Sequence, residues 1–383
     1  MKNINRFSKL EKKYVLKVLE NSFSTSKSNY YVSKLENEFA KKYNTKFAIS
    51  FCNGTATMHS ALYAAGIKKN DEVIVTPLTM SSTSFVIKYL QAIPVYADVD
   101  LETFQILPEE IEKKITKKTK AIITVALYGG APKLDLIKKI AKKHNLFLLE
   151  DNAETMFSKY KNKFVGNYGD AASFSFQSSK HLTSGEGGMI ITNNAHLADK
   201  IRRFNSLGYA NVGAKKSKIS KIDIQDPYFD RHIDFGYNFR ISDLCAAAVY
   251  GQLKRSNKLV QQRIQVAKLF DKILKNSTLL QPQKNYDNST NSYWCYSVKI
   301  LNDRISWHEF RDKFLKFGGD GVYAAWKLSY DEPYFKKILK KKNTCKNAEY
   351  LQSRILQFKT NYWNFNKAKK QAIILKKTVD FFK

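Results

Sequence analysis

Cysteine is scarce in this chain: four residues in 383, at positions 52, 245, 295 and 345, widely separated and without a CxxC pair. That spacing excludes a disulfide framework and a cysteine-based zinc site as organising devices, and no metal is expected. It fits a reducing compartment. No uninterrupted apolar run approaches the length needed to cross a bilayer. The opening Met1-Lys-Asn-Ile-Asn-Arg6 leads into charged amphipathic sequence without an apolar h-region, so a soluble, cytoplasmic protein with no membrane attachment is expected. Internal repeats and low-complexity tracts are missing too, which excludes a solenoid. Acidic residues are in short supply: 34 Asp and Glu stand against 65 Lys and Arg, a net charge of +31. Such an excess attracts anions, whether nucleic acid, lipid or phosphorylated small molecules. It is spread along the chain, densest at Lys336 to Lys342 and Lys367 to Lys370, and a lysine-rich codon bias produces the same pattern.

What is present is the apolar content of a large folded chain, 43% hydrophobic and 13% aromatic, enough for a sizeable core in two lobes. Residues 8 to 43 carry helical periodicity, split by a polar stretch near Ser22 to Asn29, which predicts two helices. Short β-rich runs then alternate with helical segments: strands at Phe47 to Phe51, Glu72 to Thr76, Pro94 to Ala97, Ala121 to Leu127, Leu146 to Glu150, Ala171 to Phe176 and Met189 to Thr192. That alternation implies an α/β fold with a mostly parallel sheet between helices, and such sheets bind ligands at the carboxyl ends of their strands. From Ser206 to Asp234 the periodicity fails, which predicts a long loop. One long helix is expected from Ser242 to Leu274, leading into a smaller, aromatic-rich C-terminal α/β domain. The expected division is residues 1–250 for the large domain and 251–383 for the small one.

The most informative segment is Ser173-Phe-Ser-Phe-Gln-Ser-Ser-Lys180, which runs into His181-Leu-Thr-Ser-Gly-Glu-Gly-Gly188. A lysine on a short turn after a buried strand, partly desolvated and near closely approaching glycine backbone, has the setting of a Schiff-base lysine. The ordinary alternative is a loop lysine before a glycine turn. Asp151 ends an apolar strand and suits the partner of a pyridine nitrogen, or equally an acidic helix cap. Asn53-Gly54-Thr55-Ala56 is a strand-to-helix turn whose N–H groups suit a phosphate dianion. Ser175 stands near enough in sequence to add a hydroxyl. Together these residues have the make-up of a pyridoxal 5'-phosphate site.

These segments, with Asn70-Asp-Glu-Val-Ile-Val75, Pro94-Val-Tyr-Ala-Asp-Val-Asp100, Glu150-Asp-Asn-Ala-Glu154, Gly185-Glu-Gly-Gly188, and Gly236-Tyr-Asn-Phe-Arg240 with Asp243, occur in one order over residues 8 to 255. In that order the chain resembles the DegT/DnrJ/EryC1/StrS aminotransferases, sugar aminotransferases of fold-type I dependent on pyridoxal phosphate. The resemblance implies that Lys180 carries the cofactor and moves the substrate proton, Asp151 pairs with the pyridine nitrogen, and Glu154 lies near the ring hydroxyl. It implies that Gly54, Thr55 and Ser175 bind the phosphate. Asn238 reaches the phosphate of the neighbouring subunit, so a homodimer with shared sites is expected. The chain departs from relatives at Pro77-Leu-Thr-Met-Ser-Ser-Thr83, where Met80 or Ser81 stands in place of a ring-stacking aromatic, and at Ala126, where relatives have histidine.

The implied activity is amino transfer, usually from glutamate, to a nucleotide-linked keto-deoxy sugar, a 4-keto-6-deoxyhexose in the favoured case, for amino sugars of surface polysaccharides. Relatives that work as dehydratases replace the lysine with histidine, and Lys180 argues against that branch. The alternative of another class, a vestigial scaffold binding nucleic acid or anionic surfaces, is supported by the charge and opposed by the intact Lys180, Asp151 and Gly54-Thr55 set.

Overall fold

The computed structural model describes residues 4–23, 29–339 and 344–383. Part of the polar stretch between the first two helices and the end of the basic run at Lys336 to Lys342 lie outside the described residues. The chain opens with α1 (Lys9–Glu20) and α2 (Tyr30–Tyr43). Ser8 and Glu11 form a reciprocal capping box at the start of α1.

The strands β1 (Phe47–Phe51), β2 (Glu72–Val75), β3 (Ile93–Tyr96), β4 (Thr119–Val125) and β5 (Phe147–Asp151) are followed by a small separate hairpin, β6 (Lys159–Tyr160) and β7 (Lys163–Phe164). Then come β8 (Ala171–Ser175) and β9 (Gly188–Thr192). Without the hairpin they form a seven-stranded sheet in the order β1-β9-β8-β5-β4-β2-β3. The helices α3 (Gly54–Ala64), α4 (Ser82–Tyr89), α5 (Pro108–Lys113), α6 (Leu134–Lys143) and α7 (Ala195–Asn205) complete the alternation. Strands such as β1, β5 and β8 are buried almost throughout, as a sheet covered on both faces requires. Only β9 runs against its neighbours. A parallel return from β8 would need a crossover helix; the twelve-residue-scale loop between them instead turns back directly, and it carries Lys180.

The expected long loop after Ser206 contains one short helix, α8 (Lys221–Gln225). The single helix expected from Ser242 to Leu274 is two, α9 (Asp243–Lys254) and α10 (Ser256–Leu274), with Arg255 between them at φ −121°. Arg255 Nε lies 2.6 Å from the buried Glu11 carboxylate, and Gly251 lets α1 approach closely: a Cβ there would meet Glu11 Cγ at 2.8 Å. The apolar period runs on through this break, so the pattern does not mark it.

A second, wholly antiparallel sheet follows, built from β10 (Leu280–Pro282), β11 (Cys295–Ile300), β12 (Val322–Ala324) and β13 (Ile355–Lys359) in the order β10-β11-β13-β12. The later helices are α11 (Trp307–Lys316), α12 (Pro333–Ile338), α13 (Lys346–Gln352) and α14 (Phe365–Phe381). Tyr296, Val298 and Phe358 of this sheet pack with Phe270 of α10, Phe310 of α11 and Leu375 of α14 in one apolar cluster. Among the described residues no helix is long and apolar enough to cross a membrane.

Candidate active site

The carboxyl ends of β1, β4, β5 and β8 open on a cavity of about 340 Å³. Gly54, Thr55, Asp151, Glu154, Ser175 and Lys180 all line it. Asn238 does not. It is exposed and pairs through a backbone bridge with Ser206.

One end of the cavity is built for an anion. Asn53 caps α3, its side chain accepting the Ala56 N–H at 2.8 Å. Gly54 and Thr55 fall in the first helical turn, where N–H groups have no intrahelical acceptor and the helix dipole is positive. Glycine is required at Gly188 and favoured at Gly54. A Cβ on Gly54 would press on Ser175 Cβ at 3.0 Å, and one on Gly188 would meet the Asn53 carbonyl oxygen at 2.5 Å. Their absence lets β8, β9 and the start of α3 close around one point, with the Ser175 hydroxyl beside it.

At the other end stand the carboxyls of β5 and the turn after it. Asp151 is the last residue of its strand and no helix follows it, which removes the helix-cap alternative. Its Oδ2 accepts the Thr83 hydroxyl at 2.9 Å and its Oδ1 accepts the Ala153 N–H at 3.2 Å. Burial pushes its carboxyl above the usual range, against the hydrogen bonds and the charge of Lys180. Glu154 accepts the Tyr128 N–H at 3.1 Å, and its other oxygen lies 3.5 Å from Lys180 Nζ. Burial pushes it up to about 7, with Lys180 drawing it back. Glu150, one residue before Asp151, points to the other face, as strand alternation demands. It takes the N–H groups of Gly166, Tyr168 and Gly169 at 2.6, 2.7 and 2.6 Å and so pins a loop.

Lys180 sits on the turn after β8, its N–H donating to the Gln177 carbonyl at 3.0 Å. The Gln177 side chain accepts both the N–H and the hydroxyl of Ser179 at 2.8 Å. The ammonium, whose side chain is 14% exposed, lies 4.5 Å above the Trp294 ring. That ring stacks on Trp326 at 5.9 Å, and both line the cavity. Thr83 carries no signal of its own, and the sequence marks Trp294 and Trp326 only as members of the aromatic-rich C-terminal lobe. The two rings stand just outside the ends of β11 and β12. Met80 also lines the cavity and is 55% exposed, whereas Ser81 is not part of the lining.

A phosphorylated pyridine aldehyde fits this donor set: a lysine for the aldehyde, a buried carboxylate braced by Thr83 for the ring nitrogen, and an N-terminal helical turn with a serine hydroxyl for the phosphate. The close approach of Gly54 to Ser175 leaves that cradle open where a side chain would fill it.

Known proteins resemble this chain in sequence and in fold. GDP-perosamine synthase of Escherichia coli O157:H7 is 38% identical over 288 residues, 75% of this chain and 74% of that protein. The crystal structure of an aminotransferase from Psychrobacter cryohalolentis superposes with a TM-score of 0.89 at 26% identity, covering 100% of this chain and 99% of that one. A GDP-4-keto-6-deoxymannose-3-dehydratase superposes with a TM-score of 0.85 at 25% identity over 98% of this chain and 99% of its own. The profile of the DegT/DnrJ/EryC1/StrS aminotransferase family matches residues 5–374, and the chain belongs to that family.

Proposed function

We propose that this enzyme uses pyridoxal 5'-phosphate to move an amino group from glutamate to a nucleotide-linked keto-deoxy sugar, a 4-keto-6-deoxyhexose being the favoured acceptor. Its product serves amino-sugar and surface-polysaccharide synthesis in the cytoplasm. The observation that carries the reading is the meeting of Lys180, Asp151 and Glu154 in one cavity, with Lys180 Nζ 3.5 Å from Glu154.

Bound here, the cofactor supplies an electron sink for the carbon that loses or gains a proton. The chain's own residues do the rest. Gly54, Thr55 and Ser175 would hold the phosphate, and Asp151, braced by Thr83, would hold a proton on the ring nitrogen. Glu154 would lie near the ring hydroxyl. Lys180 would hold the aldehyde and would serve as the acid–base that moves the proton at the reacting carbon. Its packing against Trp294 keeps water from that proton path.

A second cavity of about 550 Å³ shares Ser179, Trp294 and Trp326 with the first and adds Tyr323 and Lys359. Rings and a cation beside the reaction chamber suit the base and diphosphate of a nucleotide-linked acceptor. Lys180 supports transfer over dehydration.

We assign Asn238 to the phosphate of a neighbouring subunit in a homodimer, a reading supported by its exposure and its absence from its own chain's cavity lining. The domains we propose are 1–250 and 251–383; the seven-stranded and four-stranded sheets fall on either side of that division.

The test is spectroscopic. Glutamate should bleach the visible band of the purified enzyme, and a panel of keto-sugar nucleotides should restore it only with the true acceptor. Loss of the acceptor's hydroxyl without amination would make it a dehydratase, and a protein that binds no cofactor would leave the anion-binding alternative.

A further inference from the structure

Arg263 of α10 is 1% exposed, and among the described residues no carboxylate lies within ion-pair reach of it. A buried guanidinium without a counter-ion is costly and persists where its donors are otherwise engaged. Here its two terminal nitrogens bind neutral oxygens on three separate segments, while Nε has no partner. Nη1 donates to the Trp294 carbonyl at 2.7 Å and the Thr360 hydroxyl at 3.2 Å. Nη2 donates to the carbonyls of Ser179 and Lys180 at 3.1 and 3.2 Å. Arg6, from the N-terminal segment, donates to the same Lys180 carbonyl at 3.0 Å and to that of Ser178. One planar fork therefore grips the backbone of Lys180 and the backbone of Trp294, the two residues whose side chains face each other at 4.5 Å.

We propose that Arg263 is a positioning residue for the reaction: its guanidinium sets the separation between the lysine turn and Trp294, tying the second sheet to the reacting lysine, and Arg6 reinforces the turn. The proposal rests on Lys180 being the cofactor lysine. A displacement of the order of 1 Å at such a group is enough to slow chemistry about 100-fold. Lysine cannot replace the fork, because a single ammonium does not span two backbones with fixed geometry.

The test compares Arg263→Lys with Arg202→Lys. Arg202 is also buried, but pairs bidentately with Glu36 at 2.9 and 2.6 Å instead of with the lysine turn. In Arg263→Lys, amide hydrogen exchange at residues 178–182 of the cofactor-free protein should quicken about tenfold or more. The glutamate half-reaction of the loaded enzyme should slow about 10- to 100-fold with KM changed less than about threefold. Arg202→Lys should lower the melting temperature and leave both readouts alone. The positioning role is overturned if Arg263→Lys folds and neither exchange nor kcat moves, or if both variants change alike. Should Arg263→Lys not fold, Arg6→Gln carries the test, and unchanged exchange at 179–181 overturns the proposal. Borohydride labelling keeps the premises apart: a label on another lysine sinks the cofactor assignment, whereas a label on Lys180 with unaltered Arg263→Lys kinetics sinks only the positioning.

Discussion

The two sides of the cavity are chemically unlike. The large-sheet side brings Lys180, Asp151, Glu154, Ser175 and the start of α3, every one able to bear charge or donate a hydrogen bond. The small-sheet side brings the stacked rings of Trp294 and Trp326, with no titratable group between them. Strand ends hold the reacting groups because a buried parallel sheet is the stiffest part of the fold and delivers its carboxyl ends to one line. The aromatic side shapes and dries the space above them. If that division holds, changes on the first side should strike the chemical step and changes on the second should strike the acceptor.

The sharpest way to break the comparison is Lys180→Ala. It removes the proposed aldehyde anchor and proton carrier together, so turnover should vanish while the circular dichroism spectrum stays that of the folded enzyme. Residual transfer above background would move the chemistry elsewhere.

Next comes Asp151→Asn, which keeps size and the Thr83 contact but removes the charge. The half-reaction with glutamate should slow by about 10²- to 10⁴-fold. The informative partner is Glu150→Gln, one residue away and equally buried. Its carboxylate serves three backbone N–H groups and faces away from the cavity, so that variant should lose stability, by about 1–3 kcal/mol, and keep its kcat once folded. Equal kinetic damage from both would dissolve the distinction.

Asn238 tests whether the large-sheet side is complete within one chain. Losing a charge-assisted hydrogen bond costs about 1.5–3 kcal/mol, so Asn238→Ala should be impaired by itself. Mixing it with Lys180→Ala should restore partial activity after subunit exchange, since one hybrid site then receives both intact residues. If Asn238 serves its own chain, mixing restores nothing.

On the aromatic side, Trp326→Ala should raise the acceptor's KM about tenfold and leave the glutamate half-reaction within about twofold. A matching loss in the glutamate step would mean that the ring takes part in the chemistry.

The two sides also differ in how far they can be read from sequence. Residues 147–188 spell out their part locally: an apolar run ending in Asp151, an apolar run ending before Lys180, and a glycine where backbone must approach. The alternation of such units implies the mostly parallel sheet, but not its strand order or the reversed direction of β9. Trp294, Trp326, Thr83 and Arg263 reach the site only through packing between distant segments, and nothing in their neighbours along the chain distinguishes them from core or surface. The break at Arg255 is hidden in the same way, and the residue at it pairs with Glu11 at the other end of the chain.

The effect expected of Glu154 is on stability and not on rate, and it is a pH dependence. Burial raises this carboxyl from its ordinary 4.5 to about 7 in the folded chain. Between those values the folded state holds more protons than the unfolded state, so stability falls as pH rises through the window and is level on either side of it. The shift corresponds to about 3 kcal/mol, with the attraction of Lys180 already counted in it. Glu154→Gln removes the titration while keeping an acceptor for the Tyr128 N–H. Melting temperatures of the cofactor-free proteins should therefore converge near pH 5 and separate toward pH 8, the variant becoming the more stable of the two. Parallel curves would place the Glu154 carboxyl in ordinary solvent and remove it from the charged side of the cavity.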